Sequence, residues 1–176
     1  AIIITILVLE LKIPHGADWA ALQPLAPVFL TYVLSFVYLG IYWNNHHHML
    51  HAAQRINGRI LWANLHLLFW LSLVPFVTGW MGENHWQSLP TSLYGVVMSG
   101  AAIAYSILQT SIIKHHGAES ILGAAVGRDG KAKVSLACYA SSIPLAFVGP
   151  WIAIGLFVFV AAMWLIPDPR IESRMQ

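Results

Sequence analysis

His47 and His51 stand four residues apart, and His48 and His51 three apart. On a helix either pair shares a face, and two imidazoles so placed can hold a transition metal. His66, His115 and His116 fall toward the same end of the neighbouring apolar segments. A histidine-cluster metalloprotein or metal carrier is therefore one reading. A di-iron centre also wants carboxylates set among the histidines or further His-x-x-His-His boxes, and neither is found. The competing reading is structural, with histidines hydrogen-bonding between helix ends and lipid headgroups. A gating or pH-responsive role is a third, because imidazole titrates near neutral pH.

A second constellation lies at the start of the chain. Ala1 to Ile13 reads AIIITILVLELKI, with one hydroxyl at Thr5 and no charge before Glu10. Ile2, Thr5, Ile6 and Leu9 recur at i, i+3, i+4 and i+7 and share one helical face. Packing against neighbours or lipid is the ordinary fate of such a row. The sharper alternative is a pore wall, since a ring of Ile and Leu gates by dewetting and offers an ion no ligands. Such a ring favours cations that shed water cheaply, potassium over sodium. Thr5 supplies the only side-chain oxygen on that face, and one helix encloses a pore only with further copies of the chain.

The elements that must position these residues follow from composition. The 176 residues are 58% apolar and 9% charged, with eight Trp, seven Phe and six Tyr. Soluble domains carry about 25% charged residues, so this is an integral membrane protein. The single Cys138 allows no intrachain disulfide. The net charge of +2 comes with no basic stripe, which gives nucleic acid no surface. A Gly-rich phosphate loop, a nucleophile elbow and a carboxylate pair are all missing from the sequence, so no enzyme is predicted. A TVGYG-like carbonyl filter is missing too.

Six all-α spans are predicted. At ~1.5 Å per residue the first thirteen residues reach only about 20 Å, against a hydrocarbon core of roughly 30 Å. They read as the second half of a spanning helix that begins upstream. Pro14 and Gly16 end it, and Asp18 can cap the next segment, Trp19 to His51. Asn57-Gly58 is expected to turn the chain. The third span runs from Ile60 to Met81 and contains Asn64, His66 and Pro75. The fourth, Thr91 to Ile113, carries Gly95, Ser99, Gly100, Ala101 and Ala102, which permit close packing. The loop Lys114 to Lys133 leads to spans Val134 to Phe147 and Trp151 to Ile166. Thr31, Ser35, Ser72 and Ser106 are scattered polar residues that read as helix glue. They are also the only support for a transporter with a midplane site. Arg55, Arg59, Lys114, Arg128, Lys131, Lys133, Arg170 and Arg174 fall on one side and only Lys12 on the other, so both termini are expected in the cytoplasm. Glu10 and Asp18 sit toward the outer end, as solvated helix ends or as a cation-gathering mouth.

Several stretches, in order, resemble the transmembrane protein 175 family, potassium-permeable channels of lysosomes and prokaryotes. They are Ile2 through Pro14, Tyr42-Trp43-Asn44-Asn45-His46-His47, Asn64-Leu65 through Pro75-Phe76-Val77-Thr78, and Ile166-Pro167-Asp168-Pro169-Arg170-Ile171-Glu172. The resemblance implies a pore lined by the first helix, with a bulky hydrophobic constriction matching Ile2, Ile6 and Leu9. Ile2 would be its narrowest layer, and Thr5 a pore-lining polar group. It implies no cofactor and no bound metal, with potassium as the permeant ion among monovalent cations. Eukaryotic members carry two six-helix repeats and work as dimers. A single-repeat chain such as this one, residues 1–176, resembles a prokaryotic member working as a homotetramer in the plasma membrane. The family's Arg and Phe-Ser-Asp signature would precede Ile2, upstream of the chain. Asn45, His46, His47 and Asn64 are the positions that would receive it in an inter-helix hydrogen-bond network. His48 stands where the family often has Arg.

Overall fold

The computed structural model describes residues 2–51, 53, 55–116 and 130–165. Gln54, Arg128, the side chain of His116 and the closing segment from Ile166, with Arg170 and Arg174, lie outside the described residues. Every regular element among the described residues is helical.

Helix α1, Ile2–Ile6, continues as a 3-10 turn over Leu7–Glu10, and Leu11 leaves it in an extended conformation ahead of Pro14. Asp18 caps α2, Trp19–Leu22, its carboxylate accepting from the Ala21 amide at 3.1 Å. A 3-10 turn at Gln23–Leu25, with Pro24 in it, then feeds α3, Ala26–His51. The second expected segment is thus helical from end to end, with its tight turn where prolines remove backbone donors.

Asn57 does more than turn the chain. Its side chain accepts from the Ile60 amide at 3.0 Å and caps α4, Gly58–Ser72, with Gly58 as the first helical residue. The third expected span is helical over Gly58–Glu83, interrupted at the single residue Leu73. Helix α5, Val74–Glu83, starts after Leu73 with Pro75 in its first turn. Proline has no N–H to give and its ring crowds the carbonyl four residues back, so the α4 ladder ends there.

Helix α6, Ser88–His116, is followed by α7, Gly130–Val148, and α8, Pro150–Leu165. Lys131 and Lys133, expected in a loop, are in the first turn of α7 instead, and Lys131 Nζ lies 5.9 Å from the Trp164 ring centroid. Trp19–His51, Gly58–Glu83 and Ser88–His115 are long and apolar enough to cross a bilayer, while Pro150–Leu165 is apolar but shorter.

Helix α6 is the spine, packing against α4, α5, α7 and α8. Two of its glycines make this possible. A Cβ at Gly100 would overlap the Trp70 indole of α4, and one at Gly95 would overlap the Ser142 hydroxyl of α7. Helix α3 packs against α5 and α8.

The polar residues of α3 are not scattered. Thr31, Ser35 and Tyr38 are buried, and Tyr42 and Asn45 continue the same stripe half-buried. Inside a bilayer each such group needs a partner. The Trp86 indole donates to Thr31 at 2.9 Å. Ser35 Oγ lies 3.0 Å from the Tyr94 hydroxyl and 2.7 Å from Thr78 Oγ1. Tyr38 donates to the Phe157 carbonyl. These bonds join α3 to α5, α6 and α8 along the middle of the bundle.

Candidate pore-lining face

Helix α1 has two unlike sides. Leu7 is fully buried, and Ile3 and Ile4 pack against the core. Ile2, Thr5, Ile6 and Leu9 are all exposed, Ile2 at 74% and Leu9 at 76%. The row at i, i+3, i+4 and i+7 is therefore the side this chain leaves uncovered, with Val8 beside it. The 3-10 turn matters here, because residues three apart eclipse one another in that geometry. It sets Leu9 in line with Ile6, one layer further along. The Thr5 hydroxyl donates to the Ile2 carbonyl at 2.7 Å. Its hydrogen is thus spent on the helix, and it faces outward with lone pairs only.

The far end of α1 is fastened to α5. Leu7–Glu10 packs against α3 and α5. Beyond it, the Lys12 ammonium lies 2.5 Å from the Glu83 carboxylate, which holds the lysine above its usual range.

The four residues expected in an inter-helix network separate into one pair and two others. His46 Nε2 and Asn64 Oδ1 are 2.6 Å apart and join α3 to α4. Asn45 Nδ2 donates back to the Ile41 carbonyl of its own helix at 3.0 Å. His47 is exposed on another side, stacked on Trp43 and on His51. His66 accepts from the Trp70 indole at 3.0 Å, and the Asn57 side-chain amide meets His115 at 3.1 Å. His47 and His51 stack on each other, while His46, His66 and His115 have separate partners. Among the described residues no group of three His, Cys, Asp or Glu could hold a metal ion.

Two things escaped the sequence reading. The α3 stripe at 31, 35, 38, 42 and 45 has a spacing of three to four, which tyrosines counted as apolar conceal. The contact between Glu10 and Gly79 carried no signal, because a glycine does not name its neighbour.

The architecture defines an all-helical, multi-span membrane protein whose helices, α1 among them, turn apolar faces outward. Residues 1–75 match the family described as the endosomal/lysosomal potassium channel TMEM175. A potassium channel of Chryseobacterium sp. (strain P1-3) is 51% identical over 176 residues, all of this chain and 92% of the relative. A potassium channel of Streptomyces collinus is 27% identical over 98% of this chain and 91% of its own length. The chain belongs to the TMEM175 family. The crystal structure of a lysosomal potassium-selective channel TMEM175 homolog from Chamaesiphon minutus shares its fold, with a TM-score of 0.80 at 23% identity over 94% of this chain and 89% of that one.

Proposed function

We propose that this chain is one protomer of a homotetrameric, potassium-permeable channel, a single six-helix domain in a prokaryotic plasma membrane with both termini in the cytoplasm. Four copies of α1 surround the central axis. Ile2, Ile6 and Leu9 form successive hydrophobic rings over about 10 Å. No carbonyl filter is involved. An ion crossing such rings sheds water without receiving ligands, so the cation that dehydrates at lower cost passes more readily. Thr5, with lone pairs and no free hydrogen, is the one side-chain group on the wall that can meet a cation or its water.

The observation that carries this reading is the two-sided packing of α1: Ile3, Ile4 and Leu7 are seated while Ile2, Thr5, Ile6 and Leu9 stay open. Family membership supports potassium as the permeant ion. The orientation rests on the basic residues Arg55, Arg59 and Lys114 lying away from the end that holds Lys12 and Glu83.

The test is cation flux through the full-length protein in liposomes. Making Ile2, Ile6 and Leu9 all polar is expected to raise leak and erase preference for potassium over sodium. Wild-type flux and selectivity in that variant would overturn the pore assignment. A reporter fused in the loop after Glu83 and found in the cytoplasm would overturn the orientation.

A further inference from the structure

Helix α5 touches the 3-10 turn that follows α1, and the segment beyond it is clasped to α5. The tip of the Glu10 side chain rests on the α5 backbone at Gly79. One turn on, Glu83 holds Lys12. Gly79 and Glu83 stand four apart and so share one face of α5. Between them Gly82 admits α3, since a Cβ there would meet the Val28 Cα at 2.7 Å. The same stretch of α5 therefore seats both the 3-10 turn and α3. An open cleft of about 350 Å³ lies beside the clasp, lined by Glu10, Lys12, Leu25, Val28, Glu83 and His85. Helix α4 is tied to α3 toward the other end through His46 and Asn64.

We infer that Lys12 and Glu83 are positioning residues for the channel wall: their clasp sets how far Leu9, and with it the outer hydrophobic ring, stands from the pore axis. This deepens the proposed function and rests on it. Neither residue lies on the Ile2-Thr5-Ile6-Leu9 face. Leu9 is three residues from Lys12, so a change in the clasp reaches the Leu9 ring first and the Ile2 ring last.

The experiment uses the full-length channel in liposomes with Cys138→Ser and one reporter, Leu9→Cys or Ile2→Cys. Each is followed by its rate of modification with a water-soluble thiol reagent and by the potassium-to-sodium flux ratio. Glu83→Lys breaks the clasp at an exposed site where folding tolerates it. The expected result is a faster reaction at Leu9→Cys by about two- to fivefold, the size an exposed ion pair supports. The rate at Ile2→Cys should stay the same. The swap Lys12→Glu with Glu83→Lys restores the pair with reversed sense and should restore the Leu9→Cys rate, which a purely electrostatic effect of one charge would not do. An unchanged Leu9→Cys rate in Glu83→Lys, in a channel that the reagent blocks normally, overturns the positioning role and leaves the pore intact. Full reagent insensitivity of flux at both reporters overturns the pore reading and this inference together.

Discussion

His46 Nε2 lies 2.6 Å from Asn64 Oδ1, across the gap between α3 and α4. A carbonyl oxygen can only accept, so the imidazole carries a hydrogen on Nε2 and donates it. The bond sits half-buried at the end of the bundle opposite Lys12 and Glu83, where α4 would otherwise touch α3 little.

Asn64→Leu should therefore loosen α4 from α3. Side-chain hydrogen bonds between membrane helices are worth about 0.6–2 kcal/mol. For a chain of this size that corresponds to a fall in Tm of about 2–4 °C per kcal/mol, read by thermal unfolding in detergent. In a His46→Phe background the same substitution should cost almost nothing. Equal losses in both backgrounds would show that Asn64 acts through something other than His46.

The hydroxyl cluster between α3, α5 and α6 is asymmetric. Thr78 Oγ1 lies 2.7 Å from Ser35 Oγ and also 2.7 Å from the Val74 carbonyl, whereas the Tyr94 hydroxyl meets only Ser35. Tyr94→Phe removes one polar atom and leaves Ser35 partnered by Thr78. Ser35→Ala instead leaves the Tyr94 hydroxyl buried and unpaired. An orphaned buried group costs about 1–3 kcal/mol, more than a hydrogen bond removed with its donor. Ser35→Ala should lower Tm further than Tyr94→Phe, and the double variant should sit close to Tyr94→Phe alone. The reverse order would contradict the cluster.

The spine helix gives a steric prediction. Trp70 lies flat over Gly100, so Gly100→Val should prevent α4 from seating on α6 and abolish the monodisperse protein on size-exclusion chromatography. Trp70→Ala opens the space that valine needs. Combined with Gly100→Val it should recover part of the folded yield, since overpacking is relieved when the opposing volume is removed. If the double variant is as poor as Gly100→Val alone, the defect lies in α6 itself.

These residues show what the sequence reveals and what it withholds. Long apolar runs broken by Pro14, Asn57 and Gly149 mark the helices, because spanning segments cannot hide a charged or open backbone. Asp18 reads as a cap because its side chain acts within its own turn. The i, i+3, i+4, i+7 row identifies a face of α1, since that spacing is local geometry. Which face is covered depends on Leu7 meeting α3 and α5, contacts formed by residues distant along the chain. Pro75 is visible as a proline inside a span, yet how far it disturbs the helix shows only when Leu73 is seen as the one residue that interrupts it. Among the four candidate network residues, only the register between α3 and α4 decides that His46 meets Asn64 while His47 turns to Trp43.

Thr5 separates the two roles proposed for the α1 face. Its hydroxyl donates to the Ile2 carbonyl at 2.7 Å, so Thr5→Val removes an exposed oxygen without leaving a buried partner stranded. Valine has a similar shape, and the helix keeps its other bonds. If Ile2, Ile6 and Leu9 set selectivity by dehydration, Thr5→Val should leave the potassium-to-sodium ratio intact. It should reduce flux, because the wall loses its one group that can meet a partly dehydrated ion. Ile2→Asn should do the opposite, raising flux and lowering the ratio as a polar ring lowers the dehydration barrier. Both are read as bi-ionic potentials and flux in proteoliposomes of the full-length channel. A Thr5→Val variant that loses selectivity while Ile2→Asn keeps it would move the selective element from the apolar rings to the hydroxyl ring.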